Sequence, residues 1–183
     1  MHLLVTGGTG VLGRAFRPLA EAEGHQVSAP GRAELDLFDP AAVGARMPGV
    51  DAVLHLATRI QPLEAMGQPG AWRENDRLTS EQTALREDVP VIMRSALAAE
   101  EQAARFAAAG RHGVVLRLGL LDGPGTGHDQ PNPALGASLH TVDAGRALLA
   151  ALTVPSGIYN VCRDGERVSH RRFTEATGWR PRH

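Results

Sequence analysis

The 183-residue chain carries 19 basic and 20 acidic side chains, a net charge of −1, 43% hydrophobic and 4% aromatic residues. That balance fits a single globular domain with room for a core, and it disfavours a nucleic-acid binder, which needs a basic surplus and base-stacking aromatics. Cys162 is the only cysteine, so no internal disulfide forms and a cytoplasmic setting is expected; no apolar run approaches the ~20 residues that span a bilayer, and the start lacks a secretory leader's pattern.

Leu3, Leu4 and Val5 form a short apolar run that reads as a buried parallel strand. Gly7, Gly8, Gly10 and Gly13 follow at once, and Val11, Leu12, Phe16, Leu19 and Ala20 then recur at helical spacing. In that strand–turn–helix context a glycine pattern has physical content. Glycines permit the tight turn and let a pyrophosphate approach the backbone, and the helix start offers unpaired N–H groups to an anion. The plain alternative is a glycine-rich turn with no ligand. Gln26–Ser28 predicts a second, short strand, and the alternation over Ala33–Asp39 suggests a third. Asp39 before Pro40 caps a small helix over 41–46. Asp51–Ala57 is a strong strand, 58–70 a loop, and 71–86 a polar helix with Leu78 and Leu85 inward. Val89–Met93 reads as a strand, after which Ser95 caps a long alanine-rich helix ending at Gly110. Gly113–Leu118 is a strong strand, Gly119–Gly136 is glycine- and proline-rich and irregular, 141–152 is a helix, Gly157–Val161 a strand and 169–176 a short helix. The alternation implies an α/β fold, a doubly wound, mostly parallel sheet formed by residues 1–183 as one domain. Ligands of such sheets sit beyond the carboxyl ends of the strands. That places the glycine turn, His55–Arg59 and Gly119–Gly125 around one crevice.

Several segments together resemble the extended short-chain dehydrogenase/reductase family of the NAD-dependent epimerase/dehydratase type. They are Thr6-Gly-Gly-Thr-Gly-Val-Leu-Gly13, Glu34–Asp39, Asp51–Ala57, Ser95–Glu100, Arg117 through Gly125, His140–Asp143 and Gly157–Val161, and they run in the family's order. The resemblance implies a Rossmann-like domain and a bound dinucleotide. Gly7, Gly10 and Gly13, flanked by Thr6, Val11 and Leu12, would wrap the pyrophosphate. Asp36, beside Leu37, would accept from the adenine amino group. Leu56 and Ala57 would lie along the ribose, and Leu120 near the nicotinamide. Helices 71–86 and 95–109 correspond to those through which relatives pair, so a homodimer is expected.

The departures matter as much. The family's Tyr-x-x-x-Lys pair falls on Ile92 and Ala96, and the chain contains no lysine at all. A positioned proton donor contributes ~10²- to 10⁴-fold, so other groups must serve if turnover survives. The candidates are His55, Thr58 and Arg59 past a strand end, Ser95, and Asp122 in the glycine-rich segment. Residues 119–183 hold a much reduced substrate side. The end of the second strand reads Ser28-Ala-Pro-Gly-Arg32, with no acid before Glu34. An acid there would take a ribose 2′-hydroxyl, whereas Arg32, assisted by Arg14, suits a 2′-phosphate. NADP(H) is therefore favoured, with NAD(H) as the alternative. No zinc-protease, cysteine-zinc, phosphate-loop or nucleophile-elbow pattern occurs, so no metal is assigned. The expected activity is oxidoreductase- or epimerase-like on a small carbonyl or hydroxyl metabolite. A non-redox cyclase, isomerase or lyase and a non-catalytic dinucleotide sensor remain as rivals.

Overall fold

The computed structural model describes residues 1–59, 65, 67, 68, 70–80, 88–131, 136–165 and 168–183. The chain divides into two compact units, Met1–Leu56 with Val114–His183, and Ala57–Gly113.

In the first unit β1 (His2–Thr6) lies between β2 (Gln26–Ser28) and β3 (Ala52–His55), parallel to both. Leu3, Leu4 and Val5 are buried, as a parallel strand covered on both faces requires. α1 (Val11–Ala22) turns Gly13, Phe16 and Ala20 inward, positions that share one face at helical spacing. Burying a side chain the size of Phe16 or Leu3 contributes roughly 1.5–3 kcal/mol. α2 (Pro40–Ala45) starts at Asp39, whose carboxylate accepts from the N–H groups of Ala41 and Ala42 at 2.9 and 3.2 Å.

β4 (Val114–Leu118) pairs with β7 (Gly157–Val161), and β5 (Leu120–Asp122) with β6 (Ser138–His140), again parallel. Among the described residues the strands thus form three hydrogen-bonded groups. α5 (Thr141–Ala150) crosses α1 closely because Gly145 has no side chain: a Cβ there would come within 2.6 Å of the Ala15 carbonyl. One core cluster gathers Leu3, Val5, Phe16 and Ala20, the other Leu139, Tyr159, Val161, Phe173 and Trp179, and Leu12 and Leu116 touch both. α6 (Arg171–Thr177) stops at Gly178, whose φ of +72° is a left-handed cap. Trp179 then folds back, its ring N–H donating to the Asp143 carbonyl at 3.1 Å.

The second unit packs α3 (Arg73–Ser80) on α4 (Val91–Ala108) around Trp72, Asn75, Ser95 and Ala98. Gly113 closes it: a Cβ there would meet the Ala103 carbonyl at 2.4 Å. Among the described residues no helix is long and apolar enough to cross a membrane.

The structure bears out a Rossmann-type α/β fold and corrects three local expectations. Residues 33–39 form turns instead of a third strand, because their own acids close the backbone locally: Glu34 accepts from the Gly31 N–H at 2.7 Å and Asp36 from the Phe38 N–H at 2.9 Å. Residues 91–93 begin α4 instead of ending a strand, with Pro90 at the N-cap, so Ser95 lies inside the helix. Proline presets its own φ and lacks an N–H that the helix start leaves unpaired anyway. Residues 120–122 form β5 within the segment expected to be irregular. The inward Leu85 of the expected 71–86 helix lies outside the described residues, and Leu78 is half-buried.

Candidate functional site

The turn between β1 and α1 is held by its glycines. Gly7 sits at φ +70°, and the Gly10 N–H donates to its carbonyl at 2.9 Å. A Cβ on Gly13 would fall 2.2 Å from the Gly8 carbonyl oxygen, and one on Gly8 would fall 2.5 Å from the Ala29 Cβ. Gly10 is the N-cap of α1, and no side chain caps the helix. The first-turn N–H groups behind this bare backbone are what an anion needs. Thr6 is buried just below, its hydroxyl 2.8 Å from the His55 Nδ1 across the β1–β3 pairing, and the Leu56 N–H donates to the Thr6 carbonyl at 3.0 Å. His55 is exposed, and Leu56 is half-buried against the first core cluster. Val11 and Leu12 form the first turn of α1.

On one side of the turn runs the segment after β2. A Cβ on Gly31 would be 3.8 Å from the Thr9 methyl, so this segment passes directly beside the glycine turn. Its nearest acid, Glu34, is folded onto the Gly31 N–H. Arg32 and Asp36 are exposed and Leu37 is half-buried. One Asp36 oxygen takes the Phe38 N–H, and a carboxylate has a second oxygen with which to accept.

On the other side lies the turn after β5. The Gly123 N–H donates to the His128 carbonyl at 2.7 Å, and the Thr126 hydroxyl bonds within the same turn. Gly123 and Gly125 have φ of +96° and +84°. A Cβ on Gly123 would strike the His140 ring, and one on Gly125 would lie 3.1 Å from Arg14 Nη2 and 3.6 Å from a Val11 methyl. This turn is therefore fixed to the start of α1 and to the start of α5. Arg14 also donates to the Thr9 carbonyl, which sets its guanidinium between the two turns. Leu120, on β5, exposes 39% of its surface.

Asp122 is 3% exposed, and its two oxygens accept from Arg163 at 2.6 and 3.1 Å. Arg163 also donates to the Ser138 hydroxyl and, through Nε, to the His183 carbonyl at 2.7 Å. The carboxylate is thus part of a buried clamp joining β5, β6 and the chain end. Sequence reasoning missed Arg163, and no local pattern marks a partner 41 residues away. Asp143, wholly buried, accepts from Arg146 at 2.9 Å, from the main-chain N–H groups of Arg182 and His183 at 2.9 Å each, and meets the His183 ring at 3.3 Å. Burial pushes its carboxyl up, but the His183 and Arg182 main-chain N–H groups and the His183 ring outweigh burial and hold it below the ordinary carboxylate range.

Ala57, Thr58, Arg59 and Ser95 belong to the second unit. Thr58 is exposed. The Arg59 N–H donates to Asn75 Oδ1 at 3.0 Å and its guanidinium lies 3.3 Å from Glu74. Ser95 is 2% exposed and accepts from Asn75 Nδ2 at 2.8 Å. Its hydroxyl also bonds Asp76, whose carboxyl burial pushes up, against the Arg94 charge and that hydrogen bond. Ser95 is thus occupied inside its own helix pair.

Residues 3–85 match the NAD dependent epimerase/dehydratase family. No curated protein matches the chain. Among solved structures, RMD from Pseudomonas aeruginosa complexed with NADPH superposes with a TM-score of 0.73 at 21% identity, covering 100% of this chain and 95% of that one. The UDP-Glc/GlcNAc 4-epimerase from Campylobacter jejuni gives 0.73 at 17% identity over 100% and 94%. The Thermus thermophilus UDP-glucose 4-epimerase in complex with NAD gives 0.66 at 20% over 99% and 85%. Residues 3–85 are thus similar to the NAD dependent epimerase/dehydratase family, and over its length the chain shares the fold of these solved structures.

Proposed function

We propose that the chain binds a nicotinamide dinucleotide in the glycine cradle, NADP(H) in preference to NAD(H), and acts as an oxidoreductase- or epimerase-like enzyme on a small carbonyl or hydroxyl metabolite. One observation carries the reading. The start of α1 has no side-chain cap, and the glycines before it pack so tightly on their own backbone and on Ala29 that bare main chain leads into the helix. The group fits there: main-chain N–H groups and a helix dipole suit a diphosphate. The bound cofactor would supply hydride chemistry, while this chain's residues hold and orient it. Gly7, Gly10 and Gly13 cradle the diphosphate, Asp36 accepts from the adenine, and Leu56 and Leu120 provide apolar contact.

The preference for NADP(H) rests on Arg32. An acid aimed at the ribose would select the 2′-hydroxyl, but none follows β2 before Glu34, and one Glu34 oxygen already takes the Gly31 N–H. Arg32, two residues before it, suits a 2′-phosphate. Fluorescence titration is expected to give tighter binding of NADPH than of NADH, and Arg32→Ala to shrink the ratio about tenfold. Equal affinities in the unaltered protein, or a ratio unmoved by Arg32→Ala, would refute the preference. Absence of binding by both nucleotides would refute the reading itself.

A second reading is favoured by specific residues: a dinucleotide-binding sensor without turnover. Ile92 and Ala96 stand where the family's proton donor and its lysine stand. Asp122 is clamped by Arg163 and Ser95 is buried. Following the nicotinamide absorbance of saturated protein with a panel of aldehydes and ketones separates the two, since only the enzyme consumes the band. We also propose a homodimer through α3 and α4, where Met93 and Phe106 leave 47% and 46% of their surface exposed. A monomer by light scattering at micromolar concentration would refute it.

A further inference from the structure

We propose that Arg14 is a diphosphate-binding residue which also fixes the Gly123–His128 turn over the bound dinucleotide. The assignment rests on the cofactor reading above and gives Arg14 a different task from Arg32. Three observations carry it. Arg14 Nη1 donates to the Thr9 carbonyl, inside the glycine turn. Its Nη2 lies where a side chain on Gly125 would begin, 3.1 Å from that Cβ position. Gly125 itself has φ +84°, so the glycine there satisfies both the backbone and the guanidinium.

The two flanks of the cradle are distinct. The segment after β2, with Gly31 beside the Thr9 methyl, is the side on which Arg32 sits. Arg14 points the other way, to the turn after β5. That turn is rigid by its own bonds, from the Gly123 N–H to His128 and from Thr126 to Gly123. It is also backed by the His140 ring. A guanidinium has five N–H donors, and the one bonded to Thr9 leaves others for an anion. A cation there adds charge-assisted donors to the main-chain N–H groups of α1. In a chain with no lysine, the arginines are the permanently charged side chains on hand for that role.

The test compares NADPH, NADH and ADP-ribose, the last having the diphosphate but neither nicotinamide nor 2′-phosphate. Arg14→Ala is expected to weaken all three by about the same factor, about tenfold, because each loses one charge-assisted contact. Arg14→Lys is expected to recover part of that loss. The salt dependence of ADP-ribose binding should be shallower for Arg14→Ala than for the unaltered protein, which a purely structural role would not produce. Arg14 is exposed on α1, and an unchanged circular dichroism spectrum would show that the variant folds. Gly125→Ala is the second variant: its Cβ displaces the guanidinium and should weaken the same three ligands. Unchanged ADP-ribose affinity in Arg14→Ala, or a loss confined to NADPH, would overturn the assignment while leaving the cofactor reading standing. Failure of the unaltered protein to bind any of the three would sink both.

Discussion

The two compact units treat their polar groups in opposite ways. In the unit that holds β1 and α1, the glycine turn leaves helix N–H groups uncapped and facing outward, above a core of Leu3, Val5, Phe16 and Ala20. In the unit of residues 57–113, polar groups are spent on one another: Asn75 bonds both the Arg59 N–H and the Ser95 hydroxyl, and Ser95 also meets Asp76. The first leaves helix donors that an anion can take. The second turns these polar groups on one another. The contrast supports the proposed binding in the first unit.

The harshest way to break the contrast is Gly13→Ala. The added methyl would lie within 2.4 Å of three atoms of the Gly8 backbone, none of which belongs to a flexible side chain. Overpacking of this kind costs about 3 kcal/mol, and here it also moves the cradle. The expected outcome is loss of NADPH binding by fluorescence, with a lowered melting temperature. If binding persisted at unaltered affinity, the cradle would not be the site.

Next in size is Asp143→Asn. The carboxylate is wholly buried and takes four donors, so an amide turns its NH₂ toward at least one of them. Removing a buried, paired charge in this way costs about 3 kcal/mol, measurable by urea denaturation. The same group sets a pH dependence. Its folded-state pKa lies below its unfolded value, so the stability it contributes is fully present above the ordinary carboxylate pKa, about 3.9. That stability is lost as pH falls through the lower folded value. The acid limb of the unfolding curve should therefore flatten in Asp143→Asn. Because none of the Asp143 hydrogen bonds goes to the Gly7–Gly13 turn, binding of NADPH at neutral pH should change little.

How much of this was legible in the chain depends on how local each feature is. The β1–turn–α1 unit is written in consecutive residues, apolar run, glycines, then helical spacing, and it stands where the pattern places it. The helix after Asp39 is equally local. The alternation over 33–39 looked like a strand, but Glu34 and Asp36 each reach a backbone N–H within three residues and win over a ladder. Val91 and Ile92 suggested a strand, yet Pro90 opens a helix there and the alanines after them sustain it. β5 and β6 are three-residue strands whose pairing is set by close backbone approach at Gly119, with no periodicity to announce it. The Asp122–Arg163 pair joins residues far apart in sequence, so Asp122 read as a free acid and the structure shows it clamped.

Asn75→Ala probes the second unit directly. It strands the Arg59 N–H and removes a donor from the buried Ser95 hydroxyl, at a cost of about 1.5 kcal/mol. NADPH affinity is expected to stay within twofold, because the hydrogen bonds of Asn75 stay within the second unit. A large loss of affinity would show that the second unit takes part in binding, and the contrast between the two would have to be redrawn.

The smallest effect expected is that of Thr6→Val, which sharpens the comparison at the base of the cradle. Valine keeps the shape and the strand preference but removes the hydroxyl that lies 2.8 Å from His55 Nδ1. His55 is exposed and regains water as a partner, so the net loss is about 0.5 kcal/mol, at the low end for a hydrogen bond. If His55 only braces the strand ends, NADPH affinity stays unchanged. If it instead touches the bound nucleotide, loss of the Thr6 bond changes the orientation of its ring and the affinity shifts severalfold. That result distinguishes a cradle built from main chain alone from one in which a titratable side chain stands beside the ligand and gives chemistry a starting point.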